Sequence, residues 1–557
     1  MFDTLCFHCA DEAQATLRVT SSAAFNLVVH FVMDDMGRLL TQLLQPDGAS
    51  AGKLTGRKAH RQAKFQPETL ARWKKVEPLA RSWLSSAHHL LTQLQDGDIT
   101  AYVLRSLAAA APFAPPFPRR FKHLLRAALG RFGDGQPAVR VAAVTLIRSL
   151  AAAASTEGLD SCLKGAYRVF AANAKFSGGG GGGQLEHVAF MASAVTELVS
   201  LDTGAAYPVA FSAIRQLALL LRNALSARTK DALRAVLCWQ TVHCLELWGR
   251  VLSAHAAQPT SPLRPLVYPL VQVVTGAGRL VPTARYAPLR LRLLALLQRL
   301  GAATGVYIPI AMQAVEVLTF SEVTRAPLTR SAGGGSPSTG GYSSLLRVPK
   351  AELRSPSFQA YVVDQGLDLV AEALYQWAYH PAFPELAHLP VRELRRGAKA
   401  MHTPALRRSA LSVAEAAARN ADWVTQRREA ASFAPKDCGP GSQALASFLA
   451  DQRAKNAAPL GAILEARRAA ARQRAAAAHA VDVRIGGGER DTGADGDGDE
   501  DEDADGEAQQ GGSKRKRAAA QAPLSRKAAL ARQVAAFDEG EGNDSGDDKV
   551  AELDLSE

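Results

Sequence analysis

The chain has 557 residues and a formal net charge of +12 at pH 7, with 47% hydrophobic but only 6% aromatic residues. Alanine and leucine supply much of the apolar content, which favours helices over strands. The six cysteines are scattered, which excludes a disulfide framework and indicates a reducing compartment. No stretch of about 18 apolar residues is free of both charge and proline, which argues against a membrane span.

Charge is divided unevenly along the chain. Residues 486–557 contain 20 acidic and 9 basic side chains, which leaves a net charge of +23 on the rest. A basic body with an acidic tail indicates a polyanionic environment, of which nucleic acid is the usual one. A solvated charged surface is the alternative, because exposed charges are the norm.

Residues 1–66 are predicted to form a helical segment and a polar loop. The helix is expected over residues 1–45, with an apolar stripe of Ala23, Leu27, Val28, Phe31 and Val32. Cys6 and Cys9 form a single CxxC pair, which by itself gives little support for a metal site, and we predict none.

Residues 67–475 are predicted to form a solenoid of paired helices, of which the first are expected over 67–94, 99–111 and 118–132. The segment 134–152, DGQPAVRVAAVTLIRSLAA, resembles the second helix of a HEAT repeat, in which small residues allow close stacking on the next repeat. Six consecutive glycines within residues 177–184 lack a following Gly-Lys-Ser/Thr. We interpret them as a flexible surface insertion rather than a phosphate-binding loop.

Two more helices are predicted over residues 185–201 and 211–225. In the second, the spacing predicts an inward stripe of Phe211, Ile214, Leu217, Ala218, Leu221 and Leu225. Arg215 and Arg222 share an outer face of the same helix.

The stretch 239–309 is apolar and is interrupted by Pro262, Pro265, Pro269, Pro282, Pro288 and Pro309. Prolines are costly in helix interiors, so these should mark turns and first helical positions. Between them, one helical face is lined by Tyr286, Leu289, Leu293, Leu296, Leu297 and Leu300. Arg285, Arg292 and Arg299 recur every seven residues and are predicted to share another face.

Aligned guanidinium groups suit a phosphate backbone or the acidic face of a partner helix. The alternative is that these arginines are solvated or pair with acidic residues of the next repeat.

Trp239 and Trp248 lie about 180° apart on a helix, so we expect one inside the solenoid and the other against an adjacent repeat or a partner. His243 is interpreted as a satisfied core or interface histidine rather than a catalytic one. The candidate partner or RNA contacts are Arg215, Arg222, Trp239, His243, Trp248, Arg264, Arg279, Arg285, Arg292 and Arg299.

Helices are further predicted over residues 357–379, 404–431 and 443–474. Residues 476–557 are predicted to be a disordered tail with an acidic low-complexity run. A basic cluster in this tail predicts a nuclear import signal, formed by Lys514, Arg515, Lys516 and Arg517.

Several segments, in order along the chain, resemble the nucleolar complex protein 2 family. They include YRVFAANAKF (167–176), YPVAFSAIRQLALLLRNAL (207–225), WQTVHCLELWGRVL (239–252) and SPLRPLVYPLVQVV (261–274). The similarity continues through GRLVPTARYAPLRLRLL (278–294), GVYIPI (305–310), FPELAHLPVRELRR (383–396) and ADWVTQRREAASFAP (421–435). It covers about residues 70–449.

The resemblance implies an all-α, HEAT-like solenoid that acts in assembly of the large (60S) ribosomal subunit in the nucleolus and nucleoplasm. It implies heterodimers with two related solenoid proteins, nucleolar complex proteins 1 and 3, at earlier and later stages of pre-ribosome maturation. The pre-ribosomal particle is the other expected partner, and direct contact with its rRNA stays an open alternative. It brings no catalytic residues and no cofactor.

Two other classes of function fit this sequence less well. An enzyme is disfavoured because no GxSxG, HExxH, Walker or kinase motif occurs in its proper context. A HEAT-type nuclear transport receptor or adaptor would share the solenoid and the nuclear setting. The basic body disfavours it, because such receptors resemble acidic solenoids.

Overall fold

The computed structural model describes residues 21–44, 66–175, 183–328, 341–429 and 447–487, and every regular element in these ranges is helical. The first half of the chain contains α1 (Ser22–His30), α2 (Met36–Leu44), α3 (Trp73–Gln93), α4 (Gly97–Ala109), α5 (Pro118–Asp134), α6 (Pro137–Ala153), α7 (Thr156–Asn173), α8 (Gly183–Ser200), α9 (Thr203–Ala227), α10 (Lys230–Val236) and α11 (Trp239–His255). The second half contains α12 (Val267–Arg279), α13 (Ala287–Thr304), α14 (Ile310–Leu318), α15 (Ser321–Thr324), α16 (Pro356–Gln376), α17 (Phe383–Ala400), α18 (Pro404–Glu429), α19 (Ala450–Ala454) and α20 (Pro459–Gly487).

The helices form two layers of a solenoid. Consecutive pairs pack together as α3/α4, α5/α6, α7/α8, α9/α11, α12/α13, α14/α16 and α17/α18. The second layer consists of α4, α6, α8, α11, α13, α16 and α18. Each of these helices up to α16 contacts the one named after it. Each pair therefore buries its apolar faces against its neighbours, as repeat architectures do, and the predicted all-α solenoid is confirmed.

Local sequence determines where many helices begin and end. Asp96 caps α4, because its carboxylate accepts hydrogen bonds from the backbone N–H groups of Asp98 and Ile99, both at 2.9 Å. Pro118 and Pro137 each open a helix, where the missing N–H costs nothing. Gly305 ends α13 with a φ of +68°, a conformation that glycine adopts without strain.

The prolines of the central stretch behave as predicted. They lie in turns, in 3-10 segments or in the first turn of a helix, including Pro288 of α13 and Pro269, the third residue of α12. Pro208 differs, because it is inside α9, which begins at Thr203 and not near residue 211. The first-turn rule therefore places helix starts well, but it does not exclude a proline farther along.

Two predicted apolar stripes are only partly correct. Leu27 and Phe31 are 71% and 53% exposed, whereas the N-terminal segment buries Val32, Met33 and Leu40 around a π-helical turn. The π turn inserts an extra residue and rotates the following side chains relative to an α-helical pattern.

In α9, Ile214, Leu217 and Leu221 are buried as predicted, but Phe211 and Leu225 are exposed. The reason is that a solenoid helix buries only the faces that meet neighbouring helices. Apolar residues beyond those faces stay on the surface.

The helix predicted over 443–474 is instead two helices, α19 and α20. Asn456 has a φ of +49°, and Pro459 opens α20. Proline has no N–H and disfavours helical geometry in the residue before it, so the first helix cannot continue through it. The predicted solenoid boundary at residue 475 falls inside α20, which runs to Gly487 and packs on α16 and α18.

Among the described helices, α9 is long and apolar enough to cross a membrane by length and composition alone. Its buried side chains pack against α7, α11 and α12. A helix of a packed core meets the same criteria, so this observation gives little support for a membrane span.

Candidate interaction surfaces

Three of the predicted contact residues, Trp239, His243 and Arg292, are buried or half-buried at the junction of α11 and α13. Trp239 opens α11 and stacks on His243 one turn later, with ring centroids 5.2 Å apart. The guanidinium of Arg292, on α13, lies 4.9 Å from the centroid of the Trp239 ring. Trp248, farther along α11, is 1% exposed and packs beside Tyr167 of α7. One tryptophan is therefore inside the solenoid and the other meets the next helix pair, as predicted.

Glu246 connects this cluster electrostatically. Its carboxylate accepts two hydrogen bonds from Arg292, at 2.7 and 3.2 Å, and lies 3.2 Å from Nδ1 of His243. Burial by itself would raise the pKa of Glu246, but the hydrogen bonds from His243 and Arg292 and the charge of Arg292 lower it to about 2. His243 is thus a satisfied interface histidine with a structural partner.

Arg285, Arg292 and Arg299 do not form the continuous basic edge that their spacing predicted. Arg285 precedes α13 in a 3-10 turn, and its Nε donates to the carbonyl of Val348 at 3.2 Å. Arg292 is committed to Glu246 and Trp239. Arg299 is exposed, and it forms no ion pair within the described residues. The seven-residue spacing aligns side chains only within one helix, and Arg285 lies before its start.

Two other candidate arginines have structural roles. Arg264 donates from Nη1 to the carbonyls of Ala256, Ala257 and Thr304, at 3.1 to 3.3 Å, and so satisfies backbone acceptors at helix ends. Arg279 lies 3.9 Å from Glu316, which pairs more closely with the buried Arg290, at 3.2 Å. Neither arginine is a free contact.

A groove of about 540 Å³ lies beside the Glu246 cluster, between α8, α11 and α13. Its walls include Leu185 and Ala189 of α8, Leu247 and Arg250 of α11, and Leu296 and Arg299 of α13. Beside the groove, α11 approaches α13 closely at Gly249, where a side chain would collide with Leu296. Arg299 is the predicted contact residue that this groove leaves accessible.

The outer side of α9, which we call the α9 face, combines exposed apolar and basic residues. Phe211, Leu219 and Leu225 are 47%, 50% and 51% exposed. Arg215 and Arg222 are exposed between them. Phe211 also stacks on Tyr207, with ring centroids 6.2 Å apart and 14° between the planes. Large apolar side chains clustered on a surface mark an interaction site more often than isolated ones do.

The prediction missed a clamp that holds α20 against α16. Arg467 donates to Asp368 at 2.6 Å, and Arg474 lies 3.0 Å from Asp364 and 2.8 Å from Asp368. A carboxylate every four residues on α16, at Asp364, Asp368 and Glu372, is the signal that could have revealed it.

Within the described ranges, no group of three or more His, Cys, Asp or Glu side chains could hold a metal ion. Cys6 and Cys9, the predicted acidic run and the basic cluster at Lys514–Arg517 lie outside those ranges.

The sequence profile of the Noc2p family matches residues 157–467, more than half of the chain. The chain belongs to the Noc2p family. It is 34% identical over 477 residues to Nucleolar complex-associated protein 2 of Arabidopsis thaliana. The aligned region covers 86% of this chain and 59% of that protein. It is 30% identical over 414 residues to Nucleolar complex protein 2 of Drosophila melanogaster, which covers 74% of this chain and 51% of that protein.

The resemblance read from the sequence is thereby confirmed. The chain spans between half and three fifths of the length of these two relatives. Their names support a nucleolar, and hence nuclear, location. The Noc2p family is not a known family of enzymes.

Proposed function

We propose that this chain is a non-enzymatic assembly factor for the large (60S) ribosomal subunit. It acts as a solenoid scaffold that forms heterodimers with nucleolar complex protein 1-like and 3-like solenoids. In this role it accompanies pre-ribosomes from the nucleolus to the nucleoplasm. Membership of the Noc2p family supports the place in ribosome biogenesis.

The uncovered α9 face is the structural observation that carries the scaffold role. Its three exposed apolar side chains lie in the middle of the solenoid, on a helix whose opposite side is fully packed. Aromatic side chains and arginine are enriched at the cores of protein interfaces, and Phe211 beside Arg215 fits that composition. Arg215 and Arg222 would then meet acidic residues of the partner solenoid, and Arg299 offers a further cation on the second layer.

Affinity purification of the full chain tests this proposal. We expect wild type to recover a related solenoid protein and to co-sediment with large-subunit precursors. The triple variant Phe211→Gln, Leu219→Gln and Leu225→Gln should lose that solenoid. The variant Leu79→Gln with Val141→Gln, which alters exposed apolar residues elsewhere, should retain it.

Recovery of the partner solenoid by the triple variant at wild-type levels would remove the α9 face from the proposal. The alternative function is a HEAT-type nuclear transport receptor or adaptor. Recovery of transport machinery and cargo, without any ribosomal precursor, would favour that alternative.

A further inference from the structure

The outward side of α17 carries a dense set of cations. Arg392, Arg395, Arg396 and Lys399 are all exposed. At 100° per residue they fall within an arc of about 100°, and they extend over about 10 Å of the helix. The opposite side of α17 is buried in the solenoid. We call these four residues the α17 basic face.

Two of these four cations pair with a carboxylate nearby, and both share the same one. Glu393 lies 3.0 Å from Arg392 and 3.4 Å from Arg396, while both guanidinium groups stay largely exposed. Arg395 and Lys399 form no ion pair within the described part of the chain. Glu393 therefore orients two arginines, and the other two cations are available to an external anion.

The face borders a cavity of about 550 Å³ between α17 and α18. Its apolar lining consists of small groups such as Ala387, Val391 and Ala421, and Asp422 is the carboxylate on the α18 side. His388 also lines the cavity. All four cations of the α17 basic face thus line this cavity, and the apolar side chains beside them are small.

We propose that the α17 basic face binds the sugar–phosphate backbone of RNA. Guanidinium forks match phosphate oxygens, and backbone contacts need charge and spacing rather than apolar pockets. An acidic protein partner is less well matched, because Leu389 is the one exposed large apolar side chain on α17, whereas the α9 face has three. The inference rests on the proposed function only for the identity of the natural RNA, which would be that of the pre-ribosome.

The test uses the full chain, with binding measured by fluorescence anisotropy over a range of salt concentrations. The probes are a single-stranded RNA, an RNA duplex of the same sequence, and polyglutamate as an acidic protein mimic. Three proteins are compared: wild type, Arg395→Gln with Lys399→Gln, and a control with Arg38→Gln and Arg234→Gln. The control removes two exposed arginines that are already paired with Asp35 and Asp231. All three retain the C-terminal tail, so any contribution of the tail to binding cancels.

We expect the Arg395/Lys399 variant to bind RNA more weakly and to have a log–log salt slope smaller by about 1.4–1.8, since each phosphate contact contributes about 0.7–0.9. The control should have the wild-type slope. Melting followed by circular dichroism should be the same for all three, because the altered side chains are exposed. Equal RNA affinities and slopes for the variant and wild type overturn the proposal. So does a variant that loses polyglutamate binding while it keeps RNA binding.

Sedimentation with ribosomal precursors separates this inference from the proposed function. If wild type binds RNA through α17 but never co-sediments with precursors, the proposed function fails and the inference stands. If wild type co-sediments and the variant binds RNA as wild type does, the inference fails and the proposed function stands.

Discussion

Arg292 contacts two side chains of the neighbouring helix at once. Its guanidinium covers the Trp239 ring and forms a two-pronged hydrogen bond with Glu246, so one residue of α13 fixes the position of α11. Such paired, partly buried charges matter mainly through the cost of breaking them, because the remaining charge then lacks its partner. The stability of this junction should therefore depend on pH.

We predict that Glu246→Gln lowers the free energy of unfolding by roughly 2–4 kcal/mol at pH 7. The pKa of Glu246 is lowered from 4.5 to about 2 in the folded chain. The stabilisation is therefore fully present above pH 4.5 and is lost as the pH falls towards 2. Urea unfolding at several pH values should show the gap between wild type and variant closing over that window.

Glu197→Gln is the matched control for this prediction, because Glu197 pairs with Arg148 at an exposed site. Exposed pairs contribute about 0–1 kcal/mol. A gap between Glu246→Gln and wild type that stayed constant from pH 7 to pH 2 would contradict the assignment of the stabilisation to this carboxylate.

At the scale of the elements, α20 is attached to the solenoid by charge as well as by apolar packing. Leu460 and Leu464 are buried, and Arg467, Arg468 and Arg474 face the carboxylates of α16. The helix runs antiparallel to α16, since Gly461 lies near Tyr375 and Arg474 near Asp364. It thereby covers part of the second layer that is open farther along, at the groove between α8, α11 and α13.

We predict that Arg467→Ala loosens α20. The Arg467 side chain is 12% exposed and its hydrogen bond to Asp368 is charged on both sides. A loss of about 1.5–3 kcal/mol per charged hydrogen bond corresponds to about 10–100-fold faster amide exchange in residues 459–474. Arg472→Ala, on the same helix but bonded only to the carbonyl of Arg468, is the control. Equal exchange rates for the two variants would show that apolar packing alone holds α20.

At the scale of the whole molecule, the solenoid offers separate surfaces on successive helix pairs. Each pair contacts mainly its neighbours: α9 packs against α7, α11 and α12, whereas α17 packs against α14 and α18. The α9 face and the α17 basic face can therefore be altered independently, and mutations in the two are expected to have additive effects. The α16–α20 ion pairs are less separate from the α17 basic face, because α20 also packs on α18. This modularity suits a scaffold that binds several components of one particle.

Nuclear import also concerns the whole molecule, and the predicted signal for it is the basic cluster Lys514–Arg517. We predict that replacing Lys514, Arg515, Lys516 and Arg517 by alanine reduces nuclear accumulation, because an import receptor reads a compact basic cluster. The control replaces Arg526, Lys527, Arg532 and Lys549, which removes the same charge from the tail without touching the cluster. The measurement is the nuclear fraction of a tagged chain when partner solenoids are limiting, since a partner could otherwise carry the variant in. Normal accumulation under that condition would show that the cluster is inert.

The sequence by itself determined the helical class, most helix positions and the family. Helical periodicity and first-turn prolines depend on residues within a few positions of each other, so Pro118, Pro288 and the buried leucines of α13 could be read directly. The order of the matching segments was sufficient for the family, because it depends on sequence alone.

Only the tertiary structure decided which side chains are available for contact. Arg292 pairs with Glu246, 46 residues away in the chain, and Arg467 pairs with Asp368, 99 residues away. Phe211 and Leu225 are exposed because, in the part of the chain that the structure describes, no helix packs on that side of α9, although their spacing matches that of buried residues. Periodicity identifies the faces of a helix, but the neighbours that cover each face are set by how the helix pairs stack, and that stacking involves residues far apart in the chain.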